Sequence, residues 1–74
     1  MTHNEVHDKS SFSRYVASLI AEIDDPVVAR QWQSSDIRGL LEAIEAWALD
    51  IERPAHPNPW RHAADVLGAG RAYE

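Results

Sequence analysis

The chain has 74 residues, with 7 Lys or Arg against 12 Asp or Glu, so its net charge is −5. It contains no cysteine, which excludes disulfides, thiolate metal sites and cysteine nucleophiles. A chain of this length forms one domain and buries only roughly 60% of the surface that its unfolded form exposes. Its core is therefore small, and dimerisation is one way to bury more apolar surface.

The acidic surplus is concentrated in the middle of the chain. Between Glu22 and Glu52 there are eight acidic residues and two basic ones, Arg30 and Arg38. A nucleic-acid-binding surface needs a basic patch to neutralise phosphates, so this composition argues against nucleic acid as a partner. No apolar run approaches the roughly 20 residues that span a bilayer, and the N-terminus is polar. We therefore expect a cytoplasmic protein with no membrane partner.

The first nine residues differ in character from the rest. They are polar and show no periodicity, which predicts a disordered tail over residues 1–9 and a single helical domain over residues 10–74. His3 and His7 are four apart, a spacing that can hold a metal on one helical face. Because no helix is predicted this early, we expect no metal site there.

The first helix is predicted over residues 10–24. Its apolar residues recur at the spacing of one helical face, and Ser10 or Ser11 is expected to be the N-cap. Pro26, after two aspartates, ends the helix. Residues 26–33 are expected to form a loop or a short turn, since one extended segment alone has no strand to pair with.

The central helix is predicted over residues 35–52 and has the clearest periodicity in the chain. Ser34 or Ser35 is the expected N-cap. Pro54 ends the helix because its ring cannot continue one. Trp32 precedes the helix and is expected to fill the gap between helices.

The third helix is predicted over residues 58–72. Asn58 followed by Pro59 is a strong start signal, with Asn as N-cap and Pro in the first helical position. Gly68 and Gly70 would let this helix lie close to another.

These patterns predict an all-α fold, a small bundle of three amphipathic helices. The predicted core consists of the apolar residues on the inward faces of the helices together with the tryptophans. Its members are Phe12, Tyr15, Val16, Leu19, Ile23, Trp32, Ile37, Leu40, Leu41, Ile44, Trp47, Ile51, Trp60, Ala64 and Leu67.

Three segments are similar to a family of short, uncharacterised bacterial proteins. They are Trp32, LLEAIEAWALDI at 40–51 and PWRHAADVLGAGRAYE at 59–74. The resemblance runs from about residue 12 to the C-terminus. It implies a compact, mainly helical stand-alone domain of unknown function, and it implies no catalytic residues. It also implies that Tyr73 and Glu74 belong to the domain.

No enzymatic constellation is visible in the sequence. The serines are accounted for as caps or polar helix positions, and there is no nucleophile elbow, P-loop or dinucleotide fingerprint. We therefore expect no enzyme, no catalytic residues, no cofactor and no metal. The alternative is a metal- or ligand-binding protein that uses His56 and His62, with Asp65 or Glu52 as further ligands.

A partner-binding face is predicted on the central helix. Glu42, Glu45, Leu49 and Glu52 form one stripe, acidic with a single apolar residue. Acidic side chains steer association with basic proteins. The leading hypothesis is therefore a non-enzymatic protein–protein interaction module, possible forms of which are an inhibitor or an immunity-type protein for a basic partner.

A structural homodimer is the alternative in a different class. Gly39, Ala43 and Ala46 form a stripe of small residues on the same helix. Small residues permit close helix approach, so this stripe is the expected dimer face.

Overall fold

The computed structural model describes residues 1–32, 36–51 and 55–72. All regular structure in these ranges is helical, which confirms the predicted all-α class and the small bundle. The elements are a 3-10 turn at His3–Glu5, α1 at Lys9–Asp24, α2 at Pro26–Ala29, α3 at Ile37–Asp50 and α4 at Pro59–Ala72.

The three long helices match the three predicted ones. The central helix was predicted over residues 35–52 but is shorter: α3 begins at Ile37 after its cap Asp36 and ends at Asp50, with Ile51 already extended. Tyr73 and Glu74 lie outside the described residues. The connection after α1 contains one short helix, α2, where a loop or short turn was expected. Pro26 opens α2, and Asp25 caps it by accepting a hydrogen bond from the Val27 N–H at 3.0 Å.

The N-cap of α1 is Asp8, so the prediction of Ser10 or Ser11 was wrong. The Asp8 carboxylate accepts a hydrogen bond from the Ser11 N–H at 2.8 Å, and the Ser11 hydroxyl accepts one from the Asp8 N–H at 3.0 Å. This reciprocal pair satisfies two backbone donors at the start of the helix. The hydrogen bond from the Ser11 N–H, and a second one that the Ser11 hydroxyl donates to the Asp8 carboxylate at 2.7 Å, lower the pKa of Asp8.

The other two long helices also begin at side-chain caps. Asp36 caps α3 by accepting a hydrogen bond from the Gly39 N–H at 2.6 Å, while the predicted caps Ser34 and Ser35 lie outside the described residues. Asn58 caps α4, as predicted: its Oδ1 accepts from the Trp60 N–H at 3.0 Å and the Arg61 N–H at 3.3 Å.

Helix α4 is the common neighbour of α3, α1 and the N-terminal 3-10 turn. The most deeply buried cluster joins Val6, Tyr15 and Ala64, with Phe12, Leu19 and Leu67 packed against it. Val6 is only 3% exposed. The prediction of a disordered tail over residues 1–9 was therefore wrong, because this segment contributes to the core.

Close approach of α3 and α4 depends on Gly70. A Cβ added there would lie 2.5 Å from Leu40 Cδ1 and 3.0 Å from Ile44 Cγ1. A larger side chain at this buried helical position would therefore have to push the Leu40 and Ile44 side chains aside, and glycine leaves them room to pack.

The predicted core is confirmed only in part. Tyr15 and Ala64 are buried. The half-buried members of the predicted core are Phe12, Val16, Leu19, Trp32, Leu40, Ile44, Trp47, Ile51 and Leu67. The Cα envelope measures 34 × 29 × 15 Å, and packed helix axes lie about 8–10 Å apart. A helix in so thin a fold buries one side only, so four predicted core residues are instead exposed: Ile23 (46%), Ile37 (78%), Leu41 (59%) and Trp60 (37%).

Among the described residues, no helix combines the length and the apolar character needed to cross a membrane.

Candidate protein-interaction surface

The outward side of α3 carries a shallow groove with apolar and charged walls. It is lined by Ile37, Arg38, Leu41, Glu42 and Glu45. Two large aliphatic side chains thus stand side by side in solvent, with charged groups beside them. Grouped apolar exposure of this kind marks an interaction site more often than single exposed residues do.

The apolar residues of this region follow a regular repeat along α3. Ile37, Leu41, Ile44 and Ala48 are spaced by four, three and four residues, and we call these four residues the α3 seam. This is the a/d spacing of helices that pair with another helix. Ile44 is half-buried because it contacts the α4 side of the fold, whereas Ala48 is exposed.

The charges beside the seam lie in a fixed order. Arg38 Nε donates to Glu42 Oε1 at 2.7 Å, one turn further along the helix. The Arg38 side chain is nonetheless 90% exposed, and ion pairs of this kind contribute only about 0.3–0.5 kcal/mol. Glu45 lies seven residues after Arg38, so it occupies the same side of the helix, two turns away.

The predicted partner-binding residues fall partly on this surface. Glu42, Glu45 and Leu49 are all exposed, but only the two glutamates line the groove, while Leu49 stands outside it. Glu52 lies outside the described residues. Sequence analysis assigned Ile37 and Leu41 to the core, although the apolar arc of this helix is wider than one neighbouring helix can cover.

The predicted dimer face was also misplaced. Ala43 is 7% exposed, and Gly39 and Ala46 are half-buried. The principal neighbour of α3 is α4. Packing within the chain therefore covers the centre of this small-residue stripe, and Ala43 is unavailable to a second copy.

The alternative ligands His56 and His62 both line a cleft of about 300 Å³ between α3 and α4. The His62 ring lies 6.4 Å from the Trp47 ring, centroid to centroid, and Asp65 also lines the cleft. Glu52 falls outside the described residues. Within the part of the chain that the structure describes, no group of three His, Cys, Asp or Glu side chains is placed to hold a metal ion.

Asp65 contacts the N-terminal segment and its own helix. Its Oδ1 lies 2.7 Å from His3 Nδ1 and 2.9 Å from Arg61 Nε. Arg61 also donates to the Asn4 side chain at 2.5 Å. Burial raises the pKa of Asp65, but the hydrogen bonds from Arg61 and His3 together outweigh burial and hold the pKa below its ordinary value.

A second polar tie joins α4 to α1. Arg71 donates to Glu22 at 2.8 Å and 3.1 Å, and these bonds raise the pKa of Arg71. The same guanidinium lies 5.6 Å from the centroid of Trp32, which places that half-buried indole against α4. The buried Trp32 Nε1 has no hydrogen-bond partner among the described residues.

Comparisons of the chain with protein-family models, with curated proteins and with solved structures gave no match. The resemblance to a family of short bacterial proteins therefore stays a prediction.

Proposed function

We propose that this protein is a non-enzymatic protein–protein interaction module that binds its partner through the α3 seam and the charges beside it. The observation that carries the proposal is the exposure of Ile37 and Leu41 next to each other in one groove. Burying a Leu or Ile side chain yields about 1.5–3 kcal/mol. A partner that covers this groove gains that energy from groups that the fold leaves in water.

The chemistry of the groove defines the chemistry of the partner. Apolar side chains must cover Ile37 and Leu41, and a basic group must stand opposite the acidic residues beside them. Glu42 and Glu45 are exposed and line the groove, where carboxylates accelerate association with a cation more than they add affinity. Inhibition of a basic protein, or immunity against one, is a biological role that such a module can fill.

The test compares three baits that differ at one exposed position each. Wild type, Leu41→Glu and Leu49→Glu are used for capture from an extract of the source cells, with the purified chain itself included as a candidate partner. Some proteins will be captured by wild type and by Leu49→Glu but not by Leu41→Glu. Each of these is then expressed, purified and titrated by calorimetry at low and high salt. Leu49 is the matched control because it is an exposed leucine of the same helix outside the groove.

The proposal expects at least one purified partner that binds wild type but does not bind Leu41→Glu. Its affinity for wild type is expected to fall as the salt concentration rises. If no purified protein, including the chain itself, distinguishes wild type from Leu41→Glu, the α3 groove is not an interaction site.

A further inference from the structure

We infer that the partner of the α3 seam is a second copy of this chain, bound antiparallel across a two-fold axis beside Leu41. The inference rests on the proposed function, since it takes the same surface and names what covers it. Three independent features support it: the apolar repeat, the order of the charges and the accessible area of the chain.

The apolar repeat of α3 is self-complementary. The α3 seam keeps its four-three-four spacing along the whole helix, so an identical helix laid against it offers side chains at matching intervals. Leu41 is the fifth residue of the 14-residue helix Ile37–Asp50. A two-fold axis beside Leu41 lets the exposed part of the seam on each copy cover that of the other.

The charges beside the seam select the antiparallel arrangement. Arg38 and Glu45 occupy the same side of the helix, and the midpoint between them falls between Leu41 and Glu42. A two-fold axis at that midpoint places Arg38 of each copy opposite Glu45 of the other. In a parallel arrangement Arg38 would share its height with the Arg38 of the other copy, two turns from the nearest Glu45, so the opposite charges would not meet.

Arg38 is able to change partner. Its present ion pair with Glu42 lies in solvent, with side-chain exposures of 90% and 64%, and the contribution of such a pair is small. The second copy therefore supplies the basic group that the acidic groove requires, without a foreign protein.

The area of the chain is consistent with a missing partner. The solvent-accessible surface is 5236 Å² for a mass of 8.3 kDa, whereas a folded monomer of that mass exposes roughly 4,600 Å². The surplus of roughly 600 Å² is slightly below the ~800 Å² per partner of a standard interface. The surface left over thus has the size that a small two-fold interface buries.

The first test measures the mass of the full chain in solution by light scattering after size exclusion, at high micromolar concentration and moderate salt. The inference expects wild type and Leu49→Glu at twice 8.3 kDa, and Leu41→Glu at the mass of one chain. Circular dichroism of Leu41→Glu is expected to match that of wild type, because position 41 is exposed and the substitution leaves the fold intact.

Two results would overturn the inference. A monomeric wild type that binds another protein through Leu41 removes the second copy and leaves the proposed function standing. A dimer that Leu41→Glu leaves intact places the subunit contact elsewhere on the chain.

The second test exchanges the charges. Arg38→Glu and Glu45→Arg each put like charges at both ends of the interface, and each is expected to weaken dimerisation about tenfold. The double variant restores the opposite pairs and is expected to recover most of the loss. If the double variant dimerises no better than the single ones, Arg38 and Glu45 do not meet across the axis.

Discussion

The two flanks of α4 are held by different forces. On the N-terminal flank, the 3-10 turn and α1 are joined to α4 by directed polar bonds as well as by the Val6–Tyr15–Ala64 cluster. On the α3 flank, Leu40 and Ile44 pack against the bare backbone of Gly70, and Trp47 lies beside His62. The polar bonds of the first flank are His3–Asp65, Arg61–Asn4, Asn58–His7 and Arg71–Glu22.

The difference shows how α3 comes to leave apolar surface in solvent. A hydrogen bond joins one donor to one acceptor, so the polar groups of the N-terminal flank find their partners within the chain. An apolar arc has no such limit, and α3 has more apolar surface than α4 covers. The same helix that seals the fold on one side therefore presents Ile37 and Leu41 on the other.

The largest expected effect comes from wedging the α3 flank open. Gly70→Val places a branched side chain where even a Cβ would lie 2.5 Å from Leu40 Cδ1, and overpacking of this kind costs about 1–3 kcal/mol. Urea unfolding at one fixed chain concentration measures the loss. Gly68→Ala is the matched control on the other flank.

A Cβ at Gly68 would lie 3.3 Å from His3 Cδ2 and from Tyr15 Oη, so these groups have to yield only slightly. The gain in helix propensity from Gly to Ala, about 1 kcal/mol, opposes that cost. Equal destabilisation by Gly70→Val and Gly68→Ala would contradict the closer packing of the α3 flank.

A smaller effect is expected from removing one hydroxyl on the N-terminal flank. Ser11 is fully buried, and its Oγ accepts hydrogen bonds from the His7 N–H at 2.9 Å and the Asp8 N–H at 3.0 Å. Ser11→Ala leaves both donors without this acceptor, at a cost of about 1–2 kcal/mol. Ser10→Ala, at the exposed neighbouring position, is expected to unfold at the same urea concentration as wild type. If the two variants behave alike, the N-terminal segment is not fixed through Ser11.

The smallest expected effect concerns the polar contacts of Asp65 on the N-terminal flank and depends on pH. Asp65→Asn removes the charge that His3 and Arg61 contact, and we expect a loss of about 1 kcal/mol at neutral pH. Because the folded pKa of Asp65 is lowered, its contribution is complete above the ordinary value of 3.8 and is lost as pH falls through the lower folded pKa. Thermal unfolding of the two proteins should therefore differ at neutral pH and converge in acid. A difference that is independent of pH would mean that the charge of Asp65 contributes nothing.

Local patterns in the sequence predicted the helices but not their depth of burial. The periodicity and the Asn58–Pro59 start signal gave three helices close to their observed bounds. The burial of Val6 depends on bonds between residues more than 50 positions apart, such as His3–Asp65. No window of local sequence contains both partners of such a bond.

The candidate surface was missed for a related reason. Apolar periodicity reports that a helix has an apolar side, but the number of neighbours decides how much of that side is covered. Because α4 is the principal neighbour of α3, Ala43 is buried and Leu41 is exposed. The sequence analysis had assigned Leu41 to the core and Ala43 to a face open to a second copy. The signal available in the sequence was the width of the apolar arc of α3, which is greater than the width that one neighbouring helix covers.

The most direct measurement of the central claim uses the absence of cysteine in the chain. Single substitutions Leu41→Cys and Leu49→Cys each introduce one thiol on the exposed side of α3, and a disulfide forms only when two Cα atoms come within about 7 Å. After mild oxidation, the account predicts that Leu41→Cys runs as a covalent dimer on a non-reducing gel while Leu49→Cys remains a single chain. Equal cross-linking of the two variants, or none at position 41, would contradict a two-fold axis beside Leu41.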